Sequence, residues 1–592
     1  MDYILKTPFR DNRAHLISLR FLMLKLLIIF ILGMTMSLAF PSSSISLLGW
    51  IGIIPLYLFI KDLRPSKAFL FGLVWGYGWA VTSFFWLARI EPFIPYAMGL
   101  VLAMFPALWT YLVALTRQNI LVPNPVRLAG YTESRKYLIE NKHHFRKILA
   151  VLIFSSFWCF SEWLRSWIFS GLPWNYLAVS QFHYAYMIQI ASYTGIYGIS
   201  FVLIFANMAL AELIISFYNS ITYKVRFYIP LAIYISILLV ILNCLFGYIE
   251  VSKYNLSKPD SVNLKALLVQ GDMPQMRFYS AQQAADALTI YSKYSRQLLP
   301  LKPDILIWPE SAVPQPLYGN SILSMDYRAT ISSMIEKYKV PILLGTIYYD
   351  SSVKDSFSND YKAFNSAVLI DKNDKIGGIY SKIHLVPWGE YTPGEDIFPL
   401  SYFYPWIKQK FSMGRSLSPG SLSKIFNIKN GIRASVLICF EDSYSYIARK
   451  HVMNGSNLFI TITNDAWFPD SDEQSQHLAE AIFRSIENRR PMIRSGNNSG
   501  TCVINPLGII TDSIFYKELN GKKILHPDKQ GRGAVIFNVP IEENPHLSFY
   551  TKYGDKFILL TNVIALLGLL WSFLQWKERK LHLHRLITKT AN

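Results

Sequence analysis

ASVLICFEDS, residues 434–443, is an apolar run that ends at a cysteine. Val436, Leu437 and Ile438 follow one another with no polar interruption, as in a strand buried on both faces. Cys439 stands where the run gives way to Glu441 and Asp442, and residues 442–453 then read as a helix. The sulfur is therefore expected at a strand-to-helix turn, where a helix N-terminus favours thiolate over thiol. A lone cysteine in such a place is more often filler than nucleophile, so its companions decide the reading.

Outward from this run the pattern repeats. VNLKALLVQ (262–270), DILIWPE (304–310), VPILLGTIYY (340–349), FNSAVLID (364–371), NLFITITND (457–465) and GAVIFNVP (533–540) read as strands. Residues 281–298, 324–338 and 473–489 read as further helices. This is an α/β pattern with largely buried strands, a class in which reactive groups gather at strand ends. Two other strand exits deliver reactive side chains: Glu310 after ILIWP, and Lys382 in IYSKIHLVPWGEY, with Glu390 eight residues later.

Those three types suffice for nucleophilic chemistry. A thiol with an ordinary pKa near 8.5 needs a base or a positive field to react at neutral pH. A desolvated glutamate can take the proton, and a lysine can donate to the oxyanion of a tetrahedral intermediate. Each residue alone has a plain reading as a buried thiol or a solvated loop charge. Their order and contexts together favour a site. His384 and His477 offer a Cys-His alternative without an evident orienting carboxylate. Cys159, Cys244 and Cys502 suggest packing, and no cysteine–histidine spacing suggests a metal, so no cofactor is expected.

At 592 residues, 52 % hydrophobic and only 16 % charged, the chain is too apolar for an ordinary soluble enzyme. The formal charge of +19 lies in short clusters between apolar runs, which argues against nucleic acid as a partner. Eight runs are candidate spans: about 21–40, 45–60, 68–88, 94–116, 148–169, 190–217, 227–249 and 556–576. The second is short enough to be re-entrant, and the first could be a cleaved signal, although it lacks a clean small-x-small site. Basic clusters precede the first span and follow the eighth, and they also fall near 61–67, 117–147 and 224–226, whereas 170–189 holds no Lys or Arg. With eight spans, all five clusters share one side, both termini are cytoplasmic, and the large polar stretch faces outward. The expected domains are 1–249 (seven spans), 250–552 (catalytic) and 553–592 (last span and basic tail).

Within the fifth span, SEWLRSWIFSGLPW (161–174) carries Glu162 and Arg165 at a spacing that lets them pair on one helix face. With Trp174 they are candidates for lipid or bundle contacts: an interfacial pair with Trp163, Trp167 and Trp174 as anchors, or a polar wall for a lipid headgroup.

WPES (308–311), KIHLVPWGEYTP (382–393), LICFED (437–442) and TNDAWFPDS (463–471) with QHLAEAIFRSIENRRPMIRSGNNSG (476–500) resemble the nitrilase superfamily. That superfamily implies a Glu-Lys-Cys triad on an αββα sandwich. Joined to an eight-span bundle, the set resembles the bacterial apolipoprotein N-acyltransferases over nearly the whole chain. The resemblance implies Glu310 as base, Lys382 as oxyanion stabiliser and Cys439 as acylated nucleophile, with Glu390, Glu441, Asn365 and Phe440 close by. It implies a phospholipid acyl donor and a diacylglyceryl apolipoprotein acceptor, and with them a monomer in a bacterial inner membrane with its catalytic domain in the periplasm. A membrane-anchored amidase or nitrilase using water is the rival. Two departures stand out: Phe440 replaces the family's tyrosine, and QGDMPQMRFYS (270–280) offers only Phe278 or Tyr279 for its tryptophan.

Overall fold

The computed structural model describes residues 9–121, 144–256, 260–275, 280–354, 361–395, 397, 399–406, 416–421, 423–519 and 522–590. Phe278, Tyr279 and the basic residues Arg127, Arg135, Lys136 and Lys142 lie outside them. Two compact units emerge: 1–181 with 197–242 and 557–592, and 182–196 with 243–556.

The first unit is helical. Among the described residues, six helices are long and apolar enough to cross a membrane: Arg20–Ala39, Ile94–Ile120, His144–Arg165, Tyr197–Tyr223, Leu231–Leu256 and Lys556–Leu581. The other two expected spans are helical as well. Residues 45–60 form two short helices, Leu47–Ile51 and Ile54–Ile60. At 1.5 Å per residue the apolar helical stretch Leu47–Ile60 falls short of a hydrocarbon core of about 30 Å. Helix Pro65–Ser83 packs closely on helix Ile94–Ile120. A Cβ at Gly72 would come within 2.8 Å of the Ala107 Cα, and one at Gly76 within 2.9 Å of the Ala103 Cα. Small residues four apart permit this approach where no hydrophobic drive between helices exists.

The second unit is a sandwich of two six-stranded sheets. The first has the order β14-β1-β2-β3-β4-β5, from Gly533–Glu542, Ser261–Gln270, Ile305–Ile307, Ile342–Lys354, Tyr361–Ile370 and Ile376–Ser381. The second has the order β11-β10-β9-β8-β7-β6, from Ile510–Ser513, Cys502–Ile504, Met492–Gly496, Leu458–Thr463, Ile432–Ile438 and Phe426–Lys429. Each has three parallel strands at its centre and antiparallel strands at its edges. β12 (Tyr516–Leu519) and β13 (Lys522–Leu525) form a separate hairpin.

Alternation explains the layers. Leu264, Ala266 and Leu268 of β1 and Ile305 and Ile307 of β2 join Val436, Ile438, Ile460 and Ile462 of the other sheet in one buried core. The intervening Leu267, Val269, Leu306 and Trp308 pack outward with Tyr291 of helix Ala281–Leu298 and Tyr327 of helix Ile322–Tyr338. Both faces of the central strands are thus apolar, as continuous hydrophobic runs require. Helices Ser445–Met453 and Glu473–Asn488 follow in the second half of the unit.

Candidate functional site

The exits of β2, β5 and β7 each carry one of the three reactive side chains, and each exit is shaped by a local device. After β2, Ser311 takes a positive φ of 58°, which turns Glu310 back toward the sheet. A Cβ at Gly345 of β3 would sit 2.5 Å from the Glu310 Cα, so only glycine lets the two backbones meet there. After β5, the Lys382 backbone is held at both ends: its N–H donates to the Asn365 carbonyl (2.8 Å), and Gly420 N–H donates to its carbonyl (2.7 Å). After β7, Cys439 itself has φ +52°, a left-handed conformation that a non-glycine residue holds only when its surroundings enforce it.

The side chains converge. Lys382 Nζ is 2.9 Å from Glu390 Oε2 and 3.7 Å from Glu310 Oε1, with the lysine 1 % exposed. Asn365 Nδ2 donates to Glu310 Oε1 (2.7 Å) and to Glu390 Oε1 (2.6 Å). Val386 N–H donates to Glu390 Oε2 at 2.8 Å. Burial alone would pull the lysine down, yet Glu390 and Glu310 outweigh it and leave Lys382 above its ordinary pKa, a fixed cation. Glu310 is raised, by burial first and by Glu390, with Lys382 opposing.

Cys439 keeps some exposed surface. Burial and then Glu310 push its thiol well above the usual range, against Lys382. This corrects the expectation of a thiol ionised by a helix N-terminus. Residues Cys439–Ser443 form a single 3₁₀ turn, and helix Ser445–Met453 begins later, so no helix end points at the sulfur. The thiol must be deprotonated as it reacts, and Glu310, tuned upward, suits that task.

Glu441 and Phe440 support the site differently. The Glu441 carboxylate accepts from Ile438 N–H (2.8 Å) and Ile383 N–H (2.6 Å), and from the Tyr380 hydroxyl (2.9 Å). It therefore staples the exit carrying Cys439 to the exit carrying Lys382. Burial lifts its pKa to about 7 against those donors. Phe440 packs edge-on to Tyr444 at 5.2 Å, and Tyr444 stacks with His384 at 3.7 Å.

His477 belongs to a network the sequence did not announce. Its Nε2 lies 2.9 Å from Asp442 Oδ1 and its Nδ1 lies 2.9 Å from Asp465 Oδ1. Burial would lower it, but the two carboxylates prevail and raise it well above its ordinary value. A ring donating through both nitrogens has no lone pair for a base, which removes His477 as the partner of Cys439. Among the described residues, Cys439, Asp465 and His477 are the set whose ligating atoms approach within 4.8 Å. With both imidazole nitrogens engaged, that set does not suit a metal.

In the helical unit, Glu162 and Arg165 are each 5 % exposed but form no ion pair within 4 Å, contrary to the spacing-based expectation. Glu162 Oε1 instead accepts from Trp158 Nε1 (2.9 Å) and Leu177 N–H (2.8 Å). Arg165 lies over the Tyr176 ring at 4.9 Å and the Trp79 ring at 5.3 Å. Both acid and base line a cavity of about 30 Å³. Trp174 is buried at 3 %, packed near Trp86 at 6.1 Å, rather than an exposed interfacial anchor.

Because Glu310 can accept a proton only as carboxylate, kcat/KM is expected to fall as pH drops through its pKa. That limb should lie above the ordinary glutamate value of 4.5, since burial raises the group. A pH profile with an acid limb at or below 4.5 would contradict this assignment.

Two family models match the chain: the apolipoprotein N-acyltransferase N-terminal domain over residues 32–209 and carbon-nitrogen hydrolase over residues 268–517. Over most of its length the chain is similar to the apolipoprotein N-acyltransferases. Apolipoprotein N-acyltransferase of Geobacter metallireducens is 29 % identical over 531 residues, covering 89 % of this chain and 91 % of the relative. The Rickettsia prowazekii enzyme of that name is 26 % identical, covering 86 % and 91 %. Among solved structures, Saccharomyces cerevisiae Nit3, a member of branch 10 of the nitrilase superfamily, is similar with TM-score 0.33 at 14 % identity, covering 50 % of this chain and 95 % of that one. These likenesses, together with the apolar helices, support a membrane acyltransferase with a nitrilase-like domain.

Proposed function

We propose that the protein takes an acyl chain from a membrane phospholipid as a thioester on Cys439 and passes it to the α-amino group of the diacylglyceryl-cysteine of an apolipoprotein. What carries the reading is the Glu310–Lys382–Cys439 convergence in a chain that also holds, among the described residues, six membrane-length apolar helices.

Glu310 takes the thiol proton as sulfur attacks the acyl ester carbonyl. Lys382 stabilises the oxyanion, with Glu390 and Asn365 fixing the ammonium and the base. Collapse breaks the ester C–O bond, and the lysophospholipid alkoxide leaves with the proton from Glu310. The acceptor amine then attacks the thioester, gives a proton to Glu310 and expels the sulfur, which recovers it. Glu441 holds the two strand exits in register, and Phe440 packs beside them. Segment 1–249 serves as the membrane part, 250–552 as the catalytic domain on the periplasmic side of the inner membrane, and 553–592 as the last span with a cytoplasmic tail. The working unit is a monomer, with Glu162, Arg165 and Trp174 packed inside the helical bundle. Burying a long chain stabilises the donor by about 0.8 kcal/mol per methylene, which favours a lipid over a small amide.

The test offers the purified enzyme a defined phospholipid and a diacylglyceryl lipopeptide, and follows the label. Transfer to the lipopeptide amine faster than release of free fatty acid supports the proposal. Release of free fatty acid alone, with or without lipopeptide, would make water the acceptor and contradict acyl transfer.

A further inference from the structure

The parallel register of β7 and β8 pairs Ile438 with Ile462, which sets Cys439, just past β7, beside Thr463, the last residue of β8. Thr463 Oγ1 donates to Asp465 Oδ1 at 2.7 Å. Asp465 is held from two other directions: His477 Nδ1 at 2.9 Å on Oδ1, and an Arg494 terminal nitrogen at 3.3 Å on Oδ2. His477 is anchored in turn to Asp442 of the nucleophile's own turn, and Arg494 Nε lies 3.7 Å from Asp442 Oδ2. The Thr463, Asp465, His477, Arg494 and Asp442 side chains are almost wholly buried. The sulfur, an Asp465 oxygen and a His477 nitrogen lie within 4.8 Å of one another.

We propose that Thr463 is a further catalytic residue: a hydroxyl that rotates from Asp465 to the Cys439 sulfur as Glu310 removes the thiol proton. This rests on Cys439 being the nucleophile. The hydroxyl has one proton and two acceptors, the carboxylate and the nascent thiolate. No proton leaves Thr463. Its O–H bond swings, the S–H proton goes to Glu310, and Asp465 keeps its two cationic partners throughout. Burial would raise Asp465, but His477 and then Arg494 hold it low, so it stays an acceptor. The charges facing the sulfur are Glu310 beyond β2, Lys382 beyond β5, Asp465 beyond β8 and His477 of helix Glu473–Asn488. Lys382 is the cation among them that lowers the thiol, and it already serves two carboxylates. A neutral second donor stabilises the thiolate without adding charge beside Glu310. The Asp465–His477–Asp442 bridge then positions the donor relative to the turn that carries Cys439.

The experiment alkylates the full-length enzyme in detergent with iodoacetamide from pH 5 to 10 and reads modification of the Cys439 peptide by mass spectrometry. A hydrogen bond to a charged group is worth enough that Thr463→Val should slow alkylation at neutral pH by about tenfold or more and move the midpoint upward. Thr463→Ser should stay within about threefold of the parent with its midpoint kept. A valine profile identical to the parent overturns the proposal. So does a serine variant as impaired as valine, which would mean that the methyl group matters through packing. If the valine variant does not accumulate, Thr463→Ala against Thr463→Ser makes the same comparison. Alkylation needs no acyl donor, so its outcome is independent of whether the enzyme transfers acyl groups or hydrolyses amides.

Discussion

Cys439→Ala is expected to abolish acyl-enzyme formation and acyl transfer while leaving a folded membrane protein. The sulfur is the atom on which the acyl group must rest, and losing a covalent nucleophile costs on the order of a million-fold in rate. Structure should tolerate the change. Alanine keeps the side-chain start that already accepts φ +52°, and Glu441 still ties Ile438 to Ile383 through their N–H groups. Labelled phospholipid, a lipopeptide acceptor and a thermal melt in detergent check both halves. Residual transfer within a few tenfold of the parent would mean another nucleophile.

Lys382→Met should cost less in rate than loss of the sulfur but should also destabilise the domain. Removing the ammonium takes away the oxyanion donor, a loss of about 10²- to 10³-fold. It also leaves Glu310 and Glu390 facing each other across Asn365 with no cation. Breaking a buried pair in this way typically costs about 3–5 kcal/mol unless a carboxylate takes a proton. A proton on Glu310 would remove the base, so the acid limb of kcat/KM should move to higher pH in this variant. Denaturant unfolding in detergent and the pH profile measure the two effects. A near-parental rate with an unmoved acid limb would remove Lys382 from the mechanism.

Much of this site was legible because the reactive residues follow uninterrupted apolar runs. ILIWPE and ASVLIC each present a strand and the residue that ends it. β5 was harder, since Gly377 and Gly378 interrupt its pattern, yet the KIHLVPWGEY segment still marked Lys382 and Glu390. β9 was hidden for a different reason: its middle residue, Arg494, is 0 % exposed, and a buried arginine reads as surface in a periodicity argument. The same cause concealed the Asp442–His477–Asp465 bridge. Its members come from three separate elements, and their charges balance only in three dimensions. Spacing misled in the membrane helix, where Glu162 and Arg165 sit three apart but Glu162 turns to Trp158 and Leu177. The helix-end effect on Cys439 was likewise overestimated, because sequence cannot distinguish one 3₁₀ turn from the start of a helix.

Acyl transfer by this route requires a fatty acyl group to rest on sulfur between donor and acceptor. Its most direct measurement is the mass of the intact enzyme after incubation with a defined phospholipid and no acceptor. One added acyl chain is expected, located on the Cys439 peptide, labile to hydroxylamine and discharged on adding lipopeptide. An unmodified enzyme that still transfers acyl groups at full rate, or an adduct on any other residue, would contradict it.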